Sequence, residues 1–348
     1  MSEIRKDPLS PTWVIIATER GKRPCDFAET RNEKEKVASG QHRACPFCGG
    51  EEVEAPIKAF SIWPGEIDKE TKDWRTRVLP NRFPALNPDI ELIQREAGHI
   101  YHMLSGVGGH EVIVDSRRHA DELATMPKDQ IEAVIRTYRQ RYKFWRKDPR
   151  ITYVLIFKNY GLAAGASLAH PHSQVVATPI IPPRICQELE EAKCYYEQEK
   201  KCVYCEMIKT EKNAEQSRII WENDTMFALC PFASRFPCEI LILPKNHAAA
   251  FDQLSEQEVS DLAQILSTVL KRVDMILGDP PYNLMIHTAP QKLPGLLFYH
   301  WHIEIIPRVS MPAGFEWGTG IYINVISPED AAKSLREAKC VSEEYLAE

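Results

Sequence analysis

His170-Pro171-His172-Ser173-Gln174 runs into the apolar stretch Val175-Val176-Ala177-Thr178, and this segment decides how the chain is read. On an extended strand, alternate side chains share a face, so the spacing predicts His170, His172 and Gln174 side by side. Just upstream lies the small-residue loop Asn159-Tyr160-Gly161-Leu162-Ala163-Ala164-Gly165-Ala166-Ser167. A backbone with so little side-chain bulk approaches a ligand closely and turns its amides to phosphate oxygens. Two imidazoles, an amide and a phosphate-sized loop point to phosphorus chemistry with a histidine nucleophile.

The two halves of the chain echo each other. Cys45-Pro46-Phe47-Cys48 matches Cys202-Val203-Tyr204-Cys205, and Arg82-Phe83-Pro84 matches Arg235-Phe236-Pro237. Glu111-Val112-Ile113-Val114, followed by His119, matches Glu239-Ile240-Leu241-Ile242, followed by His247. His170-Pro171-His172 matches His300-Trp301-His302. The offset between copies shortens after the Arg-Phe-Pro element, which places an insertion near residues 85–110 of the first half. Gly106-Val107-Gly108-Gly109 within it has the composition of a loop. Helices are expected over 128–146 and 256–276. In the second, Val259, Leu262, Ile265, Leu266, Val269 and Val273 recur at helical spacing, and Ser255 with Glu258 forms a capping box. A strand follows each helix, over 151–158 and 282–287. The Glu- and Lys-rich stretch 186–201 is expected to be a solvated connecting helix, after a break at Pro179–Pro183. The expected fold is α+β. It has two tandem domains, 1–180 and 181–348, each an antiparallel sheet with one long helix.

Each copy holds C-x-x-C and two later histidines. Cys45, Cys48, His119 and His170 form one set, and Cys202, Cys205, His247 and His300 the other. Two thiolates with two imidazoles suit a closed, tetrahedral, structural Zn²⁺ site, so two zinc ions per chain are expected. The other six of the ten cysteines are expected to be free thiols. The net charge of −6 argues against a general nucleic-acid or membrane-surface binder. No apolar run reaches the length of a membrane span, and no leader pattern opens the sequence; a cytoplasmic setting is expected.

With these motifs in hand, the chain resembles the galactose-1-phosphate uridylyltransferase family of the histidine-triad superfamily. The resemblance covers nearly the whole length. It includes Arg20-Gly21-Lys22-Arg23-Pro24, Pro80-Asn81-Arg82-Phe83-Pro84, the loop 159–167, H-P-H-S-Q, and Gly314-Phe315-Glu316-Trp317-Gly318-Thr319-Gly320. It implies that His172 takes the nucleotidyl group and that Gln174 and Ser167 serve the covalent intermediate. It further implies that Arg20, Arg23, Asn81, Asn159, Gly165 and Ala166 contact nucleotide. Phe315, Glu316, Gly318 and Gly320 would come from the partner subunit of a homodimer. The substrates implied are a nucleotide sugar and a sugar 1-phosphate, placing the enzyme in galactose metabolism. In the family's best-known bacterial members the second metal site is built from a glutamate and histidines. Here Cys202 and Cys205 are expected to replace that arrangement, as in a two-zinc branch that includes plant proteins similar to ADP-glucose phosphorylase. Pro171 favours the uridylyltransferase, since the phosphorylase-like relatives tend to carry serine there.

An unperturbed imidazole has a pKa of ~6.5, so neutral His172 can attack phosphorus without a separate base. Lys158, Arg20 and Arg23 are expected charge partners. His302 is disfavoured as a second centre, because Glu304 stands where the first copy has Gln174 and Pro294-Gly295 is a poor phosphate loop. His42, His99, His102 and His110 are assigned no role.

Overall fold

A computed structural model of the chain describes residues 2–18, 45–48, 60–62, 74–97, 99–215 and 217–338. Arg20, Arg23, Cys25, His42 and Cys340 lie outside the described residues. The expected α+β class holds. A ten-stranded sheet runs through both halves, and every neighbouring pair in it is antiparallel.

The first half contributes β3 (Phe60–Ile62), β4 (Thr76–Pro80), β7 (Gly109–Val114), β8 (Tyr153–Tyr160) and β9 (His172–Thr178). The second contributes β10 (Ile219–Glu222), β11 (Met226–Leu229), β12 (Ile240–Pro244), β13 (Tyr282–His287) and β14 (His302–Pro307). The strand order is β10-β11-β12-β14-β13-β8-β9-β7-β4-β3. Read outward from the central β8–β13 pair, the order on each side mirrors the other. Two short strands, β1 (Glu3–Lys6) and β2 (Trp13–Ile16), form a separate sheet with β15 (Tyr322–Asn324). The insertion near 85–110 is more than loop. It contains a hairpin of β5 (Gln94–Ala97) and β6 (Tyr101–Leu104), and Gly109 already opens β7.

One face of the large sheet is covered by α1 (Lys128–Trp145) and α4 (Glu256–Leu277). Both helices form because apolar residues recur every three or four positions and find a common core. Ile131, Val134, Ile135, Tyr138, Tyr142 and Trp145 of α1 pack with Val259, Leu262, Ile265, Leu266 and Val269 of α4. The capping box is present at Ser255: its hydroxyl accepts from the Glu258 amide at 3.2 Å, and the Glu258 carboxylate accepts from the Ser255 amide at 2.8 Å.

The opposite face is treated differently in the two halves. In the second half, α2 (Pro183–Glu199) and α3 (Val203–Lys212) pack on it, burying Ala192, Val203, Tyr204 and Ile208 against Phe227, Leu229, Leu241 and Leu243. The stretch expected to be a solvated connector is therefore a covering helix, with Ile185, Glu188 and Ala192 buried. Its many charges conceal a narrow apolar stripe that only the neighbouring sheet reveals. In the first half, the same face carries His172, Gln174 and His110.

Candidate active site and metal centres

β9 begins at His172, so His170 and Pro171 precede the strand. Sequence spacing placed all three polar side chains on one strand face. The structure keeps only His172 and Gln174 there and turns His170 to the cysteines. His170 Nδ1 lies 3.7 Å from Cys45 Sγ and 3.4 Å from Cys48 Sγ. His119 Nδ1 lies 3.2 Å from Cys48 Sγ. The ligand atoms of Cys45, Cys48, His119 and His170 all fall within 4.8 Å of one another, as do those of Cys202, Cys205, His247 and His300.

The far ring nitrogens explain why these imidazoles suit a cation. His170 Nε2 donates to the Ser116 carbonyl at 2.8 Å, His300 Nε2 to Pro244 at 3.0 Å, and His247 Nε2 to Leu296 at 3.0 Å. Each bond fixes the proton on Nε2 and leaves the Nδ1 lone pair facing sulfur, the arrangement a metal-ligating histidine uses. In the second group the Cys202 thiol is pulled down, first by the Cys205 thiol and then by His247 and His300, while Cys205 beside it is pushed up. Two sulfurs and two imidazole nitrogens converge in each group, so both fit a thiophilic dication.

The second copy holds a further set that sequence reasoning missed. Glu188 of α2, His287 of β13, and His302 and Glu304 of β14 are all buried, with candidate ligand atoms within 4.8 Å of one another. Cys202 and Cys205 thus do not replace a glutamate–histidine cluster; the chain has both. Glu188 could not be placed from sequence because its helix was expected in solvent. This cluster also explains why His302 differs from His172. Glu188 stands 3.7 Å from His302 Nε2, Tyr204 stacks on the ring at 5.4 Å, and burial lowers the imidazole pKa to about 4. Glu304 does not act as a free repelling charge: Arg184 and Arg235 bond it at 2.6 and 3.2 Å.

At His172 the geometry leaves one nitrogen available. Nδ1 donates to the His170 carbonyl at 2.8 Å, so Nε2 carries the lone pair. Burial lowers its pKa; that hydrogen bond and the Asp115 charge oppose the shift and the Lys158 charge reinforces it, so the neutral ring is favoured. The Phe47 ring, from the C-P-F-C turn, lies 5.9 Å from His172 and 5.6 Å from His170. The Cys45–Cys48 turn therefore packs directly on the candidate nucleophile.

Around it, β8 pairs with β9 so that Phe157 faces Gln174. Two residues on, Asn159 lies on the same face of β8 as Phe157 and pairs with Asn283 of β13. Asn283 donates to Asn159 Oδ1 at 2.9 Å and to the Ala164 carbonyl at 2.8 Å, pinning both the Asn159 amide and the loop. Gly165 adopts φ +89°, a conformation open to glycine, and a Cβ there would sit 3.7 Å from Asn159 Nδ2. Ala166 is half-buried and Ser167 exposed. Asn81 meets His110 at the edge of this cluster, with its amide nitrogen 3.1 Å from His110 Nε2. Asn283 and His110 escaped sequence reasoning because neither sits in a motif; only strand register brings them here.

Lys158 is not a phosphate partner. It lies on the other face of the sheet, donating to Asp115 at 2.8 Å and to the His172 carbonyl at 3.0 Å. Ser173 also bonds Asp115, and Tyr138 meets Ser173 at 2.6 Å. The Lys158 and Asp115 side chains are 2% and 0% exposed. Lys158→Met leaves a buried carboxylate without its cation, so a loss of about 3–5 kcal/mol in denaturant unfolding is expected. A loss below about 1 kcal/mol would show that Asp115 is satisfied without the lysine.

Phe315, Glu316, Gly318 and Gly320 fall in and just after α5 (Gly314–Thr319), a six-residue helix with no buried residue. It follows Met311 and leads into β15, so it belongs to the small sheet. Phe315 and Trp317 are exposed.

Comparison with known proteins follows from this architecture. A family model described as a domain of unknown function, DUF4921, matches residues 88–341. The ADP-glucose phosphorylase of Arabidopsis thaliana is 36% identical over 339 residues, 96% of this chain and 92% of that protein. The galactose-1-phosphate uridylyltransferase of Thermotoga maritima is 31% identical over 348 residues, 97% of this chain and 99% of that protein. The chain belongs to the galactose-1-phosphate uridylyltransferase family. The Arabidopsis phosphorylase, solved with bound ADP-glucose, superposes with a TM-score of 0.84 at 34% identity, covering 98% of this chain and all of that one. A solved uridylyltransferase gives a TM-score of 0.73 at 26% identity, covering 97% of this chain and 98% of that one. The chain is accordingly an enzyme of this family, a nucleotidyltransferase of sugar phosphates. No helix among the described residues is long and apolar enough to cross a membrane.

Proposed function

We propose that the protein exchanges UMP between UDP-glucose and galactose 1-phosphate through a nucleotidyl-His172 intermediate. The observation that carries the mechanism is the bond from His172 Nδ1 to the His170 carbonyl, which leaves a neutral Nε2 as nucleophile. Nε2 attacks the α-phosphorus, a P–N bond forms, and the P–O bond to the leaving sugar 1-phosphate breaks. A second sugar 1-phosphate then attacks phosphorus and the P–N bond breaks, restoring the neutral ring. Gln174, Asn81, Asn159 and the Gly165–Ser167 backbone supply donors for the phosphoryl oxygens, with Arg20 and Arg23 adding charge. The Gln174 amide is not an acid and cannot protonate a leaving group, which favours transfer over hydrolysis.

Zinc is the cation the two Cys₂His₂ groups suit, by donor type and number. Bound there it would brace the 45–48 turn under His172 and the start of α3 against β14, a structural role. Among the described residues the cysteines are free thiols, which suits a reducing, cytoplasmic setting. The halves 1–180 and 181–348 act as catalytic and covered copies of one unit. A homodimer, with the Phe315–Gly320 segment completing the partner's site, is supported by the exposure of Phe315 and Trp317.

A second reading, phosphorolysis of ADP-glucose, is favoured by the greater likeness to the Arabidopsis phosphorylase in both identity and TM-score. Pro171 supports the first, because it stiffens the chain between metal ligand and nucleophile. The expected result is a higher kcat/KM for UDP-glucose with galactose 1-phosphate than for ADP-glucose with phosphate. A tenfold advantage for the second pair replaces the uridylyltransferase with the phosphorylase and leaves the His172 mechanism intact.

A further inference from the structure

We propose that His110 is a positioning residue that locks the Gln174 amide with its NH₂ group turned toward the phosphoryl oxygens; this deepens the nucleotidyl-transfer reading and rests on it. An amide side chain can present either its oxygen or its nitrogen to a ligand, and only the nitrogen stabilises anionic phosphoryl oxygens. Something must therefore fix the rotamer of Gln174. Strand register puts His110 on the same face, as the diagonal neighbour: Val112 faces Gln174 and His110 faces Val176. His110 Nε2 lies 2.9 Å from Gln174 Oε1.

The proton on that ring is located by a backbone group. The Ala85 amide donates to His110 Nδ1 at 3.1 Å, so Nδ1 carries the lone pair and Nε2 the hydrogen. Nε2–H must then find an acceptor, and Gln174 Oε1 is that acceptor. The Gln174 NH₂ is consequently directed outward. Asn81 Nδ2 lies 3.1 Å from the same Nε2, but its own Oδ1 is fixed by the Phe83 amide at 2.9 Å. With Nε2 protonated, the Asn81 amide hydrogens are not taken up by His110 and are left for a ligand. The Asn81 backbone amide also donates to the His110 carbonyl at 2.9 Å, tying the 81–85 turn to β7. The imidazole thus sets the orientation of the Gln174 donor beside the nucleophile, while the Phe83 amide sets that of Asn81.

The test is a kinetic series on the full-length protein, with UDP-glucose and ADP-glucose as nucleotidyl donors. His110→Leu, which offers no hydrogen to Oε1, is expected to lower kcat by about 10- to 100-fold, less than the ~10²–10³ of removing an oxyanion donor outright. KM should change by no more than about threefold, because the amide still fills the site but no longer holds its NH₂ group toward the phosphoryl oxygens. His110→Gln, whose amide nitrogen reaches the place of Nε2, should restore kcat to within about threefold of wild type. In a Gln174→Ala background, His110→Leu should add less than about a twofold loss, since the orientation it controls is gone. A purely structural histidine would not give that rescue or that loss of effect. If His110→Leu does not fold, His110→Asn carries the same test, its amide being too short to reach Oε1. Unchanged kcat in His110→Leu, failure of His110→Gln to rescue, or a full loss in the Gln174→Ala background overturns the inference. Each of these leaves nucleotidyl transfer standing if wild type still forms labelled nucleotidyl-enzyme; wild type that never labels sinks both.

Discussion

His172→Asn is expected to abolish the covalent intermediate and lower kcat by about 10⁴- to 10⁶-fold, the scale seen when a nucleophile is removed. Asparagine keeps a polar group of similar length on β9 but has no nucleophilic lone pair on nitrogen. The wild-type protein, incubated with UDP-glucose labelled at the α-phosphorus, should acquire label that is labile to acid and stable to base, as a phosphoramidate is. His172→Asn should acquire none. His172→Gly with added imidazole should transfer nucleotide to the small molecule, because the Nδ1 bond to the His170 carbonyl orients a side chain rather than completing it. Label that survives in His172→Asn, or maps to another residue, would falsify the assignment. Persistent transfer through His302 is the least expected outcome, since Glu188 faces its Nε2 and Tyr204 stacks on its ring.

Cys202→Ser is expected to remove one of about two zinc ions per chain and to lower the melting temperature by roughly 10 °C, as a loss of several kcal/mol does in a chain of this size. The site ties together parts of the second half that are far apart in sequence. Cys202 caps α3, Cys205 lies in its first turn, and His247 and His300 come from opposite sides of α4. Formation of a structural site is coupled to folding, so a missing ligand is felt by the whole unit. The exposed thiol of Cys194 is the control: Cys194→Ser should stay within about 0.5 kcal/mol of wild type. Elemental analysis that finds no zinc, with unchanged unfolding of Cys202→Ser, removes the metal from this account.

The motifs in the sequence sufficed for the α+β class, the long helices and the two Cys₂His₂ groups. Each of these is written as a local pattern: apolar residues every three or four positions in α1 and α4, Ser255 before Glu258, and cysteines two apart followed by histidines at corresponding places. H-P-H-S-Q with its glycine loop pointed to the same strand that the structure places beside the metal turn. What the sequence could not supply was which face each residue takes and what lies across from it. His170 leaves the strand that His172 begins, so a regular alternation misjudged it. Lys158 and Ser173 lie on the core face, one residue out of phase with His172 and Gln174, and a buried Asp115 takes the lysine that looked free for phosphate. His110 reaches Gln174, and Asn283 reaches Asn159, only through register between strands distant in sequence. The difference between the copies is likewise tertiary. A charged helix that looks solvated by composition lies over the second sheet face and sets Glu188 against His302, while the corresponding face of the first copy carries His172 and Gln174. Local pattern determines which elements form, because their hydrogen bonds and apolar stripes are periodic. Long-range pairing decides what each side chain meets, because those contacts depend on residues separated by 43 positions for Lys158 and Asp115 and by 124 for Asn283 and Asn159.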